Sequence, residues 1–358
     1  MRIVQLLGSS AGGVARHVHQ ITGGLVAQGN DVLVACPSGL ESQFSEYRHT
    51  PVEITDRPRG ADLVAISHIR RLADGTDIIH AHGLRAGALA ALALCMNRRV
   101  RLVVTLHNLP VGSRAVRGVS RVLESIVARR ADAVLGVSLD IVARMAERGA
   151  RDPQRALVPA PPMAGAASTH HIEAAAQLRA EFSIADDCPV LVTVARLAPQ
   201  KGLDTLVSAA EHLVAQGAHV RWLVVGDGPL HRSTQDSVTA AEVPVTMVGR
   251  RSDVSTFFLG ADVVVQTPVW EGQPIAIQEA LRLGAAIVST NAGGTAEVTD
   301  DAAALVPVGD GAAVASEVAR LLGDPQAVEE LRQRARERSA QLPTLCDVTD
   351  QLLAVYCA

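Results

Sequence analysis

VLVTVARLAPQKGLDTLVSAAEHL, residues 190–213, joins three kinds of sequence in one stretch. Val190–Ala195 is a short apolar, β-branched run, as expected of a strand buried on both faces. Arg196–Gly202 contains proline and glycine and reads as a loop. Leu203, Leu206, Val207, Ala210 and Leu213 then recur at helical spacing, so a helix buries one stripe. Strand, loop and helix make a βα unit, the building block of parallel sheets covered by helices.

The unit recurs in both directions. Downstream, strand Trp222–Val225 runs into Gly226-Asp227-Gly228-Pro229. Strand Ala261–Thr267 leads to the Trp270–Pro274 loop and helix Ile275–Leu283, with Gly284 where a helix C-terminus calls for glycine. Strand Ala285–Thr290 enters Asn291-Ala292-Gly293-Gly294. Upstream, strand Ile3–Leu7 and the Gly-rich loop Gly8–Gly13 precede a helix with Val14, Val18, Ile21 and Leu25 on one face. Strand Val32–Cys36 and the apolar runs Asp77–His82, Leu102–His107 and Ala133–Val137 follow. Between the two series, Val158–Met163 is dense in proline and an Ala-rich stretch follows it, which marks a linker.

The expected organisation is α/β, with two Rossmann-like doubly wound parallel-sheet domains facing across a cleft. Residues 1–163 form the first, 164–175 the linker and 176–340 the second. Residues 341–358 are a terminal segment expected to pack back on the first domain. A chain of 358 residues, 48% apolar and 20% charged, can bury two such cores. At 2% aromatic, Val, Leu and Ala must fill them.

Five scattered cysteines without metal-ligand spacing read as free thiols in a reducing compartment. No apolar run approaches the roughly 20 residues needed to span a bilayer, so a cytoplasmic location is expected. Charge is uneven: residues 1–165 carry 20 arginines against 13 acids, a net of +7, and residues 166–358 carry 13 basic residues against 24 acids, a net of −11.

Ligands of open α/β sheets sit beyond the carboxyl ends of the strands, and four candidate features fall there. Arg196 and Lys201 share one strand-to-helix loop, and Lys201 is the only lysine in the chain. A compact ammonium suits a pyrophosphate oxygen; the plain alternative is one lysine on a surface loop. Glu271-Gly272-Gln273-Pro274 and Glu279 flank a loop-to-helix junction whose free amides can meet an anion. Glu271 suits sugar hydroxyls and Glu279 the two hydroxyls of a ribose, unless both are ordinary solvated helix acids. Gly293-Gly294 with Glu297 follows another strand, and Gly12-Gly13 opens the first helix. No Gly-x-Gly-x-x-Gly, P-loop or Asp-x-Asp pattern is present.

In order and spacing, Arg196…Lys201-Gly202, Gly226-Asp227-Gly228-Pro229, Gly249-Arg250, Glu271-Gly272…Glu279-Ala280 and Gly293-Gly294-x-x-Glu297 resemble the signature of the family 4 glycosyltransferases. Gly12-Gly13 and Thr105-Leu106-His107 resemble that family's acceptor-domain elements. The resemblance covers nearly the whole chain, most specifically its C-terminal half. It implies the GT-B fold and retaining transfer of a hexose from a nucleotide-diphosphate sugar; a UDP-sugar is the favoured donor and a GDP-sugar the next. A glycan or a lipid-linked molecule is the expected acceptor, and the basic first half of the chain suits cell-envelope glycan assembly.

By position, Arg196 and Lys201 would neutralise the diphosphate as it leaves, with no metal or other cofactor. Glu271, with the Gly272 and Gln273 amides, would hold the sugar, and Glu279 the ribose. Gly226 belongs to the donor-side signature, Gly249 and Arg250 would bracket the base, and Gly13 would touch the diphosphate. His107 would reach the sugar or the reacting phosphate from the opposite domain. Without a carboxylate nucleophile, the family's front-face route through an oxocarbenium-like state is expected. The chain departs from the family pattern at Pro274, where many members have glycine, and at Pro159–Pro162, where many have Asn-Gly.

His80, His82 and His107 tempt a zinc reading, but no carboxylate or cysteine completes a set, and polar residues on a cleft rim are the expectation. Arg114, Arg117 and Arg121 fall at helical spacing among Val116, Val119, Leu123, Ile126 and Val127, with Arg129 and Arg130 following. Such a helix suits an anionic membrane surface, the alternative being a solvated basic face. Nucleic acid is not expected, because aromatic platforms are lacking. A sugar-nucleotide epimerase and a non-catalytic scaffold of the same architecture are the rival functions.

Overall fold

The computed structural model describes every residue except 10–12, 56–59, 110–113 and 160–167, and the side chains at 114–115 and 168–169 as well. It divides into two compact units, Met1–Pro159 with Pro343–Ala358, and Ala160–Leu342.

The first unit holds a seven-stranded sheet. Its strands are β1 (Arg2–Leu7), β2 (Asp31–Cys36), β3 (Arg48–Pro51), β4 (Ile78–His82), β5 (Arg101–Leu106), β6 (Ala133–Gly136) and β7 (Gln154–Arg155). They lie in the order 3-2-1-4-5-6-7, every pair parallel. The second unit holds a six-stranded sheet of β8 (Val190–Val194), β9 (Arg221–Val225), β10 (Val245–Gly249), β11 (Val263–Gln266), β12 (Ile287–Thr290) and β13 (Ala304–Val306). Its order is 10-9-8-11-12-13, again all parallel. Both are doubly wound, Rossmann-like sheets, as the βα repetition predicts. Successive connections run outward one way from β1 and then the other way from β4, and likewise from β8 and from β11. Each sheet therefore has one point where the winding reverses, and neighbouring loops splay apart there.

The second sheet is buried on both faces, which explains its unbroken apolar strands. Val190, Val192, Leu223, Val225, Val264 and Ile287 pack into one core layer. Their neighbours Leu191, Trp222, Val224, Val263, Val265 and Val288 pack into the other. The alternation is the two-residue period of a strand, and each fully buried aliphatic side chain contributes about 1.5–3 kcal/mol. Trp222 is wholly buried, and its Nε1–H donates to Thr193 Oγ1 at 3.0 Å.

The Ala-rich stretch drawn as linker over 164–175 lies partly outside the described residues. From Ser168 it already belongs to helix Ser168–Phe182, and alanine, the strongest helix former, accounts for that. At the other end, helix Leu345–Cys357 packs within the first unit. A Thr344/Asp347 capping box starts it. Arg101 Nε–H donates to Val355 O at 3.0 Å, and the Leu157 amide donates to Gln351 Oε1 at 2.8 Å.

Candidate active site

At the reversal point of the second sheet, β8 lies directly beside β11. The loop after β8 carries Arg196 and Lys201; the loop after β11 carries Glu271. Adjacency of the two strands brings Lys201 Nζ and Glu271 Oε1 together in an ion pair, with the two side chains only 20% and 16% exposed. Arg196 is exposed and makes no hydrogen bond or ion pair among the described residues. One cation is thus paired and partly desolvated, and the other is open to an anion.

Backbone crossings that only glycine permits hold these loops. Gly202 has φ 59°, and a Cβ there would stand 1.9 Å from Thr267 O. Thr267 Oγ1–H reaches back to the Lys201 and Gly202 carbonyls at 3.2 and 3.1 Å, and the Val269 amide donates to Gln200 O. Gly226, at φ 139°, lies against Ala195 O, where a Cβ would come within 1.8 Å. Its amide donates to Gly249 O at 2.8 Å, which ties the ends of β9 and β10. Gly293 lies against Glu271 O and Trp270 Nε1, and the Gly294 amide donates to Glu271 O at 2.9 Å. In the fold, the missing Cβ of each of these glycines makes room for neighbouring backbone. Glu279 is half-buried on helix Ile275–Arg282, Gly272 and Pro274 are buried, and Arg250 is exposed beside Gly249.

The reversal point of the first sheet is built from neutral groups. β1 pairs with β4 so that Gln5 lies opposite His80 and Leu7 opposite His82, while His82 faces Thr105 of β5 in register. His82 Nε2 is 2.7 Å from Gln5 Oε1, and its Nδ1 is 3.2 Å from His107 Nε2. His80 Nδ1 is 2.7 Å from Tyr356 Oη and its Nε2 is 2.7 Å from Thr105 Oγ1. The Gln5 Nε2–H donates to the same Tyr356 Oη at 3.3 Å. His17, from helix Gly13–Ala27, sets its ring edge-on to His82 and His107. Burial pushes His17 down to about 4 and His80 to about 3, the latter helped by His17. Burial, then the neighbouring imidazoles, hold His82 and His107 well below the ordinary histidine range. All four rings are therefore neutral at pH 7.

His80 and His82 are 0% and 1% exposed, so they are not the rim residues expected from sequence. Tyr356 packs edge-on against His80, a neighbour that local sequence cannot reveal. Only His107, one residue past β5, is partly exposed. No group of three or more His, Cys, Asp or Glu able to hold a metal occurs among the described residues.

Sequence comparison gives these sites a lineage. The family described as Glycosyl transferases group 1 matches residues 175–339, and the Glycosyl transferase 4-like domain matches residues 12–161. The chain belongs to the group 1 glycosyltransferases. Among its relatives, α-D-kanosaminyltransferase of Streptomyces kanamyceticus is 28% identical over 78% of this chain and 76% of its own length. N-acetyl-α-D-glucosaminyl L-malate synthase of Bacillus anthracis is 23% identical over 92% and 86%. Anabaena Alr3699/HepE, crystallised with UDP, matches with a TM-score of 0.81 at 20% identity over 100% of both chains. That glycosyltransferase fold is GT-B, and this chain shares it.

In this glycosyltransferase, the residues expected to meet the donor, Arg196, Lys201, Gly226, Gly249, Arg250, Glu271, Gly272, Gln273 and Glu279, all belong to the second unit. His107 and Gly13 belong to the first; Gly13 is exposed in the first turn of its helix, and Gly12 lies outside the described residues. Helix Arg114–Arg130 forms as its spacing predicts. Arg117 and Arg121 are exposed, as are Val116, Val119 and Val122, whereas the Arg114 side chain lies outside the described residues. Arg130, by contrast, is buried: it donates to the Leu94, Asn97 and Val100 carbonyls and pairs with Asp132. It braces the fold and adds nothing to a charged face. Gln5, His17, Thr267 and Tyr356 carry no signal in the sequence. Nothing but the sheet register and the return of the last helix brings them to the sites.

Proposed function

We propose that this group 1 glycosyltransferase transfers a hexose from UDP-sugar, with retention of configuration and without a metal, to a glycan or lipid-linked acceptor. The Lys201–Glu271 pair at the strand reversal carries the reading, with Arg196 exposed on the same loop as Lys201 and without a hydrogen bond or ion pair among the described residues. A diphosphate is an anion that suits two cations carried on one strand-to-helix loop. It replaces the carboxylate as counter-ion of Lys201 and releases Glu271 toward the sugar hydroxyls. Arg196 and Lys201 then stabilise the charge that gathers on the departing nucleotide, which is the role a metal plays elsewhere. Glu279 is assigned to the ribose, Gly249 and Arg250 to the base, and the Gly272 and Gln273 amides to the sugar. His107 is assigned to the sugar or the reacting phosphate, and Gly13 to the diphosphate.

UDP is the preferred nucleotide because the structurally similar HepE was crystallised with UDP and with UDP-glucose. The cell envelope is the setting proposed, on the inner face of the membrane. Arg117, Arg121, Val116, Val119 and Val122 are all exposed on this one helix, which so presents both cations and apolar groups, as membrane-surface helices do. No helix among the described residues is long and apolar enough to cross a bilayer.

Thermal stabilisation of the purified protein by UDP, GDP and ADP in EDTA tests the donor site. A ligand at 100 times its Kd stabilises by about 2.7 kcal/mol. UDP is expected to give the largest shift, and Lys201→Ala to abolish it. No shift with any nucleotide removes the donor site and leaves a non-catalytic scaffold.

A further inference from the structure

The network behind His107 offers more hydrogen-bonding capacity than joining parallel strands requires, and its connectivity is directional. A neutral imidazole has one N–H donor and one bare acceptor nitrogen. Gln5 donates through Nε2 to Tyr356 Oη, so its Oε1 is the atom facing His82 Nε2. An amide oxygen only accepts; the His82 proton is therefore on Nε2 and its Nδ1 is bare. His107 Nε2, 3.2 Å away, must then supply the proton for that contact. Its Nδ1 is left as an acceptor, and no group among the described residues bonds it. On the other side of the amide, the Tyr356 O–H donates to His80 Nδ1, and His80 Nε2–H donates to Thr105 Oγ1.

We propose that Gln5 and His82, oriented by Tyr356, are positioning residues that lock His107 in its Nε2–H tautomer, so that Nδ1 presents a lone pair to a substrate hydroxyl. The role rests on the reading of His107 as a substrate-facing group. It sharpens that reading, because a bare nitrogen accepts from a sugar hydroxyl and cannot donate to a phosphate oxygen. The reverse polarity runs from Thr105 through Tyr356 to a turned Gln5 amide. It would put the proton on His107 Nδ1 and suit a phosphate instead.

Nitrogen-15 NMR of histidine-labelled protein decides the polarity, with His107→Gln and His82→Asn supplying the assignments. The expected result is a neutral His107 protonated at Nε2. Tyr356→Phe, nearly isosteric, and His82→Leu should both shift His107 toward a mixture of tautomers. His82→Asn can keep an amide oxygen near the former Nδ1 and should preserve Nε2–H. Protonation at Nδ1 in the wild type, or Nε2–H unchanged in both Tyr356→Phe and His82→Leu, overturns the proposal.

UDP release from UDP-glucose supplies the second readout. Tyr356→Phe and His82→Leu are expected to lower kcat roughly ten- to a hundred-fold, below the full contribution of a positioned acid or base. KM should stay within about two-fold and His82→Asn should restore most of kcat, a split that a merely structural role would not produce. If the wild type releases no UDP, the donor reading is at fault, and the NMR result alone decides the tautomer.

Discussion

The two strand reversals occupy the same topological position and are furnished in opposite ways. That of the second unit is ionic: Lys201 against Glu271, with Arg196 exposed on the same loop as Lys201. That of the first is electrically silent: imidazoles, an amide, a phenol and a threonine hydroxyl share protons with no formal charge. The contrast runs against the overall charge, since the basic half of the chain holds the neutral network and the acidic half holds the only lysine. Net charge therefore says little about a site. A few partly desolvated groups set the local field, and exposed acids farther away than about 10 Å are screened by 0.1 M salt.

Acid should separate the two regions most sharply. In the unfolded chain a histidine titrates near 6.5, whereas His17 and His80 are held near 4 and 3 in the fold. Their contribution to stability is complete above pH 6.5 and is lost as pH falls toward those lower values, because the unfolded chain takes up protons that the fold excludes. Between pH 7 and 5 these two rings alone should cost the first unit up to roughly 4 kcal/mol. Urea unfolding followed at both pH values measures it. A first unit no more sensitive to pH than the second would show that the rings are solvated.

Gly202→Ala comes next and strikes the ionic region. A methyl at φ 59°, pointing into Thr267 O, is expected to cost about 2–3 kcal/mol through backbone strain and displacement of the loop. Because the same loop carries Lys201, UDP affinity should fall along with the melting temperature. Loss of stability with UDP affinity intact would uncouple the glycine crossing from the anion site.

The smallest effect belongs to the helix surface. Replacing Arg117 and Arg121 by Ser should weaken binding to anionic vesicles by about 1 kcal/mol each. Co-sedimentation with phosphatidylserine-containing vesicles reads it, and an unchanged bound fraction would reduce that face to solvated charge. UDP binding should not respond to either change.

Much of this comparison can be read along the chain, but not the pairings within it. Strands β1, β2, β4, β5, β6, β8, β9, β11 and β12 follow from apolar runs, because central parallel strands are buried on both faces. The edge strands β3 (RHTP) and β7 (QR) carry no such run; their neighbours' exposed ladders create them. Lys201 and Glu271 each stand out by residue type, yet their contact depends on β11 lying beside β8, across 70 residues of sequence. The histidines are visible in the sequence but look like rim groups; the partner that covers His80 is Tyr356, 276 residues further along the chain. Arg130 reads as surface charge because a guanidinium satisfied by three carbonyls looks the same in sequence as a solvated one.

The return of helix Leu345–Cys357 to the first unit has a consequence during synthesis. Ribosomes extend a chain at about 5–20 residues per second, and the first unit's sheet ends at Arg155 while Tyr356 comes 201 residues later. For roughly 10–40 s at that rate the sheet exists without the phenol that joins Gln5 to His80. The domain made first is therefore finished last, and the continuous second unit can complete its own fold in the interval.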